Sequence, residues 1–282
     1  MRLAVVQMPS APLDPETNLR QVLSWIHKAA AQDTQVVVFP ECVLTGYVLN
    51  AEEAEMVCES IPGPLTERLA EACRQTDITI VVGTLERGPQ EQIFNTSVMI
   101  GPQGVVGRYR KTHLPLLGVD RYLAPGDSFP APFETPVGRL SMLICYDLRF
   151  PEPARVLALA GAQAILLPTA WPQAATLYPE FVARARAAEN RLYVAAANRA
   201  GSERGTEFLG RSMIVGPEGE VLAEADGNEE IMLLAEVDLS RSNQKRRIFI
   251  PGEYELDMFG DRRPDLYRAL ASEPPDDRAA DR

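Results

Sequence analysis

The chain has 282 residues, 46% hydrophobic and 24% charged, the balance of a globular protein with length for one large core or two smaller domains. Its net charge of -11 argues against general binding to nucleic acid or to an anionic membrane surface and leaves small-molecule partners open. No apolar stretch is long enough to span a bilayer, and residues 1–7 enter a strand pattern without the apolar length or small-residue cleavage site of a signal peptide.

Short apolar runs then alternate with helical patterns. Residues 3–8 read as a strand. Asp14 and Pro15 supply an N-cap and a first-turn proline, and Leu19, Val22, Leu23, Ile26 and Ala30 follow at helical spacing. Residues 35–39 form a second strand, 64–75 a helix with Leu65, Leu69, Ala72 and Cys73 on one face, and 77–85 a third strand. Residues 97–106 and 212–221 echo each other, each a strand, a Gly-Pro-x-Gly turn and a strand, hence a hairpin. Between them lie strands at 140–144, 164–167 and 192–197, separated by helical patterns at 152–160 and 179–191. The last expected strand is 231–237. This alternation implies an α/β sandwich. No linker-like stretch divides the chain, so one domain over 1–270 is expected, and the acidic, Pro-containing segment 271–282 reads as a disordered tail.

Three short segments carry the chemistry. Cys145 closes the apolar run Leu140-Ser141-Met142-Leu143-Ile144 and leads into Tyr146-Asp147-Leu148-Arg149-Phe150-Pro151-Glu152. A thiol at a strand tip before a helix is faced by N–H groups that stabilise negative charge, a setting that suits a nucleophile. Taken alone, a buried core cysteine is the commoner role. Glu41 follows Val36-Val37-Val38-Phe39-Pro40 where a core strand emerges, and is either a satisfied structural acid or a general base. Lys111 lies in Arg108-Tyr109-Arg110-Lys111-Thr112-His113, by itself an ordinary basic turn. The four cysteines, Cys42, Cys58, Cys73 and Cys145, show no C-x-x-C spacing and there are only two histidines, so no metal site is expected. Reduced thiols in a cytoplasmic enzyme fit this usage.

In the order Glu41, Lys111, Cys145, these contexts resemble the nitrilase superfamily of carbon–nitrogen hydrolases, over roughly residues 3–238. The resemblance implies a four-layer α-β-β-α sandwich, a Glu-Lys-Cys triad and no metal or organic cofactor. It also implies homodimers or larger homo-oligomers, with residues 244–254 as the crossover segment. Many members carry a second site glutamate before a Pro-Gly-Asp turn. Here that turn is Pro125-Gly126-Asp127, no Glu precedes it, and the nearest carboxylate is Asp120, one residue off the usual register. Asp120 either replaces that acid or pairs with Arg121.

Amide hydrolysis needs a nucleophile, an oxyanion stabiliser and a proton carrier. Cys145 supplies the first, Lys111 and the backbone N–H of Tyr146 the second, and Glu41 the third. The rival arrangement is a Cys–His hydrolase with His113 as base. Tyr146-Asp147 after the cysteine, where true nitrilases usually have Trp-Glu, favours amides over nitriles. Arg149 either clamps a substrate carboxylate or pairs with Glu152 or Asp147. Tyr47, Trp171 and Tyr178 follow strand ends and line the pocket or pack in the core. The segment around Cys145 resembles ω-amidases, whereas Asn198-Arg199-Ala200-Gly201 is closer to N-carbamoyl and aliphatic-amide hydrolases. The leading reading is a cysteine amidohydrolase acting on a small linear amide or carbamoyl compound. Acyl transfer and a catalytically dead scaffold are the other two.

Overall fold

The computed structural model describes residues 1–272. Of the expected tail, everything from residue 273 onward lies outside the described residues. Two compact units result, Met1–Gln244 and a second beginning at Lys245.

The first unit begins with β1 (Arg2–Gln7), α1 (Pro15–Ala30), β2 (Val36–Val38), α2 (Ala51–Val57) and α3 (Pro64–Thr76). It continues with β3 (Thr79–Arg87), β4 (Ile93–Gly101), β5 (Gly104–Arg110), β6 (Phe133–Thr135), β7 (Gly138–Met142), α4 (Pro151–Leu159) and β8 (Ala164–Pro168). Then come α5 (Ala183–Asn190), β9 (Tyr193–Ala197), the short β10 (Ser202–Glu203) and β11 (Thr206–Glu207), β12 (Met213–Val215), β13 (Val221–Glu224) and β14 (Ile231–Glu236).

One six-stranded sheet runs β14-β1-β2-β3-β4-β5 and the other β13-β12-β9-β8-β7-β6. In each, parallel central strands are flanked by antiparallel ones. The two hairpins with echoing sequences are β4–β5 and β12–β13, and each ends at one edge of its own sheet. Strands β1, β2 and β3 pack against β8 and β9, so the sheets lie face to face. On the outer face of the first sheet, Leu19, Val22 and Ile26 of α1 and Leu65, Leu69 and Cys73 of α3 are buried with Val37, Ile80 and Val98. Helices α4 and α5 pack together, and α5 covers β9 and β12. This is the four-layer α-β-β-α sandwich. Central strands buried on both faces need apolar residues at every position, which is why 36–38 and 164–167 read as unbroken apolar runs.

The N-cap at Asp14 forms as expected, its carboxylate accepting from the Thr17 N–H at 3.0 Å. Several elements depart from the sequence reading. Helix α2 was not expected, nor were β6 and the short β10 and β11. In the second unit β15 (Arg246–Ile250) and β16 (Tyr254–Asp257) form a hairpin, so the strands do not end at residue 237. Ile248, Phe249 and Ile250 of β15 are exposed. Among the described residues, no helix is long and apolar enough to cross a membrane.

Candidate active site

Glu41, Lys111 and Cys145 each follow the C-terminal end of a strand, and the two sheets bring these ends together. The turn after β2 is placed by a hydrogen bond from the Glu41 N–H to the Thr169 carbonyl at 3.3 Å. It also lies directly on β3: a Cβ at Gly83 would meet the Cys42 nitrogen at 2.5 Å and the Glu41 Cα at 2.7 Å. Only glycine leaves room for that approach. Lys111 continues β5, its N–H donating to the Asn95 carbonyl at 2.8 Å.

Cys145 opens a tight 3-10 turn, Cys145–Arg149, and holds a left-handed backbone with φ 44°. A non-glycine residue rarely adopts this conformation without support from its surroundings. Asp147 supplies the support. It is fully buried, and its Oδ2 accepts from the Ile144 N–H at 3.0 Å and the Tyr109 hydroxyl at 2.8 Å. Its Oδ1 accepts from the His113 N–H at 3.1 Å and the Thr112 hydroxyl at 3.1 Å, and faces His113 Nδ1 at 2.8 Å. One carboxylate thus caps the turn that carries Cys145 and ties it to the segment that carries Lys111. Asp147→Ala is expected to lower unfolding stability by about 3 kcal/mol or more, because several buried donors lose their acceptor together. Urea denaturation of both proteins checks this, and an unchanged midpoint would contradict it.

The ring of His113 stacks on Phe150 at 4.0 Å and its Nδ1 is engaged with Asp147. It braces the loop, and the cluster around Cys145 is built from Glu41 and Lys111 instead.

The polar centre is a network of five side chains. Lys111 Nζ donates to Glu41 Oε1 at 2.7 Å and to Asp120 Oδ2 at 2.5 Å, with all three side chains fully buried. Asn95 Nδ2 donates to Glu41 Oε1 and to Asp120 Oδ1, both at 2.8 Å. The Tyr47 hydroxyl donates to Asp120 Oδ2 at 2.8 Å, and its ring lies 5.8 Å from Lys111 Nζ. Asp120 therefore belongs to the site and pairs with Lys111, not with Arg121. The turn Gly118–Tyr122 delivers it: Gly118 has φ 50°, and a Cβ there would lie 2.6 Å from the Tyr47 ring.

Charge follows from this geometry. Burial pulls the Lys111 ammonium towards neutrality, but Asp120 and Glu41 more than offset it and hold it well above the usual lysine range. Burial, aided by Asp120, raises the Glu41 carboxyl against the opposing pull of Lys111 and Asn95. Burial and the nearby Glu41 charge push the Cys145 thiol up, while Lys111 and the groups of Ala170 and Thr169 against the sulfur oppose the rise. At neutral pH Cys145 is thus a protonated thiol that needs a base. Glu41 Oε2 has no hydrogen-bond partner among the described residues.

Trp171 is fully buried and stacks on Tyr178 at 5.1 Å. The Tyr178 hydroxyl is raised by burial and lies within electrostatic reach of Cys145 and Arg149. Arg149 is exposed and pairs with neither Glu152 nor Asp147 among the described residues. Sequence reasoning missed Asn95, which sits inside an apolar strand with no local mark. It also missed Thr169 and the five-fold coordination of Asp147.

A cysteine at a strained strand end, a buried Glu–Lys pair and a four-layer sandwich define a class. The carbon–nitrogen hydrolase family model matches residues 2–247, and the chain belongs to that family. It is an enzyme of the nitrilase superfamily, an amidase-type carbon–nitrogen hydrolase. A nitrilase of Pyrococcus abyssi is 37% identical over 272 residues, covering 95% of this chain and 99% of that protein. The omega-amidase of Homo sapiens is 32% identical over 284 residues, covering 97% of this chain and 99% of its own. The solved amidase of Nesterenkonia sp. AN1 superposes with a TM-score of 0.81 at 30% identity, covering 96% of this chain and 99% of that one. A mutant of that amidase carries acrylamide added at its active site cysteine.

Proposed function

We propose that the protein hydrolyses a non-peptide C–N bond of a small linear amide or N-carbamoyl compound through a thioester on Cys145, releasing ammonia. The observation that carries this reading is the division of labour on Glu41. Oε1 is occupied by Lys111 and Asn95, while Oε2 is free in the same buried cluster as a protonated thiol. Glu41 Oε2 takes the thiol proton as Sγ attacks the carbonyl carbon. Lys111 has three N–H donors, two spent on Glu41 and Asp120, so the third and the Tyr146 N–H meet the oxyanion. The C–N bond then breaks and the proton on Glu41 leaves with the nitrogen. A water that gives its proton to Glu41 attacks the thioester, the C–S bond breaks, and the thiol regains that proton. Asp120 and Tyr47 keep Lys111 charged and in place.

Trp171 and Tyr178 wall the acyl pocket, and Arg149 is the substrate-carboxylate clamp. The resemblance to an omega-amidase supports an acidic acyl group. The relative named a nitrilase supports a nitrile as the second reading. A homo-oligomer in the cytoplasm completes the proposal; the exposed apolar residues of β15 support the association.

The test is ammonia release from ω-amides of keto acids, N-carbamoyl amino acids, N-carbamoyl amines, aliphatic amides and a nitrile. Arg149→Ala is expected to lower kcat/KM on carboxylate-bearing substrates by roughly 10–100-fold, the worth of one charge-assisted contact. Neutral amides should change less than about threefold, as befits an exposed side chain they do not touch. An equal loss on both classes would remove the clamp.

A further inference from the structure

We propose that Asn95 is a positioning residue for the proton transfer: its amide denies the catalytic proton to Glu41 Oε1 and leaves Oε2 as the one oxygen that exchanges it. This rests on Glu41 acting as the base.

Asn95 lies on β4 and is 1% exposed. Its Nδ2 has two hydrogens and both are spent, one on Glu41 Oε1 and one on Asp120 Oδ1, each at 2.8 Å. Its Oδ1 lies 3.6 Å from the Cys42 thiol, which can only meet it as a donor. The flipped amide would set an oxygen against two carboxylates, so the orientation is fixed. Its main-chain carbonyl also holds the Lys111 N–H at 2.8 Å.

Glu41 Oε1 therefore faces two groups that can only donate, an ammonium and an amide NH2. A proton placed there would break one of those bonds. Asp120 is likewise met by donors, Oδ1 by Asn95 and Oδ2 by Lys111 and the Tyr47 hydroxyl. Two carboxylates share one ammonium in a dry site, and Asn95 supplies the second, uncharged donor that both need. The titratable and charged groups in the field of Glu41 are Lys111, Asp120, Tyr47, Cys42, Cys145 and Arg199.

Removing a donor disfavours the ionised carboxylate. The acid limb of the pH profile, below which Glu41 holds a proton and cannot act, then moves to higher pH. For Asn95→Ala the expected shift is roughly one pH unit in kcat/KM for a neutral amide, the size of one hydrogen bond to a charged group. KM on the alkaline plateau should stay within about threefold, since both Nδ2 hydrogens and Oδ1 of Asn95 are already engaged within the protein. Asn95→Asp adds a third carboxylate and should move the limb further. The second readout is the pH dependence of Cys145 alkylation by iodoacetamide, which needs no substrate and should shift in the same direction, further in Asn95→Asp than in Asn95→Ala. A lower plateau with an unmoved acid limb, in proteins that melt as the wild type does, would overturn the proposal and leave Asn95 a packing residue. Should wild-type protein release no ammonia from any amide, the amidase reading fails, and the alkylation profiles still decide on Asn95.

Discussion

Cys145→Ala is expected to lower ammonia release by about 10⁴-fold or more, since the residual rate of an enzyme without its nucleophile comes from binding and oxyanion stabilisation alone. The fold should survive. The substitution removes one sulfur from a site 6% exposed, and alanine meets the same left-handed backbone strain at φ 44° that cysteine does. The turn is held by Asp147, whose partners do not include the thiol. The stability cost should resemble that of one small buried group, about 1 kcal/mol. Paired measurements of ammonia release and thermal unfolding check both halves. Retained turnover would remove Cys145 from the chemistry, and a collapsed melting transition would show the thiol to be structural.

Lys111→Met should have the second largest effect, on both activity and stability. Losing an oxyanion donor in a dry site typically costs 10²–10³-fold in rate. Loss of the ammonium also strands Glu41 and Asp120, two fully buried carboxylates that Lys111 bridges. Breaking such a cluster costs roughly 3–5 kcal/mol. The loss should depend on pH with a definite sign. Glu41 is already raised by burial with Lys111 present, and without Lys111 it gains further from protonation. A group with a raised folded pKa binds protons more readily folded than unfolded, so acid offsets the damage. Chemical denaturation should show a smaller destabilisation near pH 5 than near pH 8. An equal loss at both pH values would mean the carboxylates do not depend on Lys111.

What the sequence reveals of this architecture follows from burial. Strands buried on both faces are apolar at every position, so β1, β2, β8 and β9 are legible as runs. Helices α1 and α3 bury one stripe and are legible by period. Helix α2 buries only Ala54, so no period exists to find, although the Asn50–Glu53 capping box was there to be read. Strand β6 has three residues, too short to show alternation. In β15 charged Arg246 and Arg247 precede three exposed apolar residues, so neither face is marked by polarity.

The site divides in the same way. Glu41, Lys111 and Cys145 each follow a strand end, and local context marks them. Asp120 lies one residue off its expected register, and a positive-φ glycine two residues earlier, invisible as a distance in sequence, turns its carboxylate onto Lys111. Asn95 carries no local signal, because its role arises only where β4 passes between the ends of β2 and β5. Arg149 is the opposite case, prominent in sequence and left without an acidic partner among the described residues.

The most direct test of the central claim is partitioning of the thioester. An amide and an ester of one acid would each be turned over in the presence of hydroxylamine, and hydroxamate and free acid measured together. A common acyl-enzyme on Cys145 predicts the same hydroxamate-to-acid ratio from both substrates and no hydroxamate from Cys145→Ala. A ratio that depends on the leaving group, or hydroxamate formed without Cys145, would contradict a thioester route.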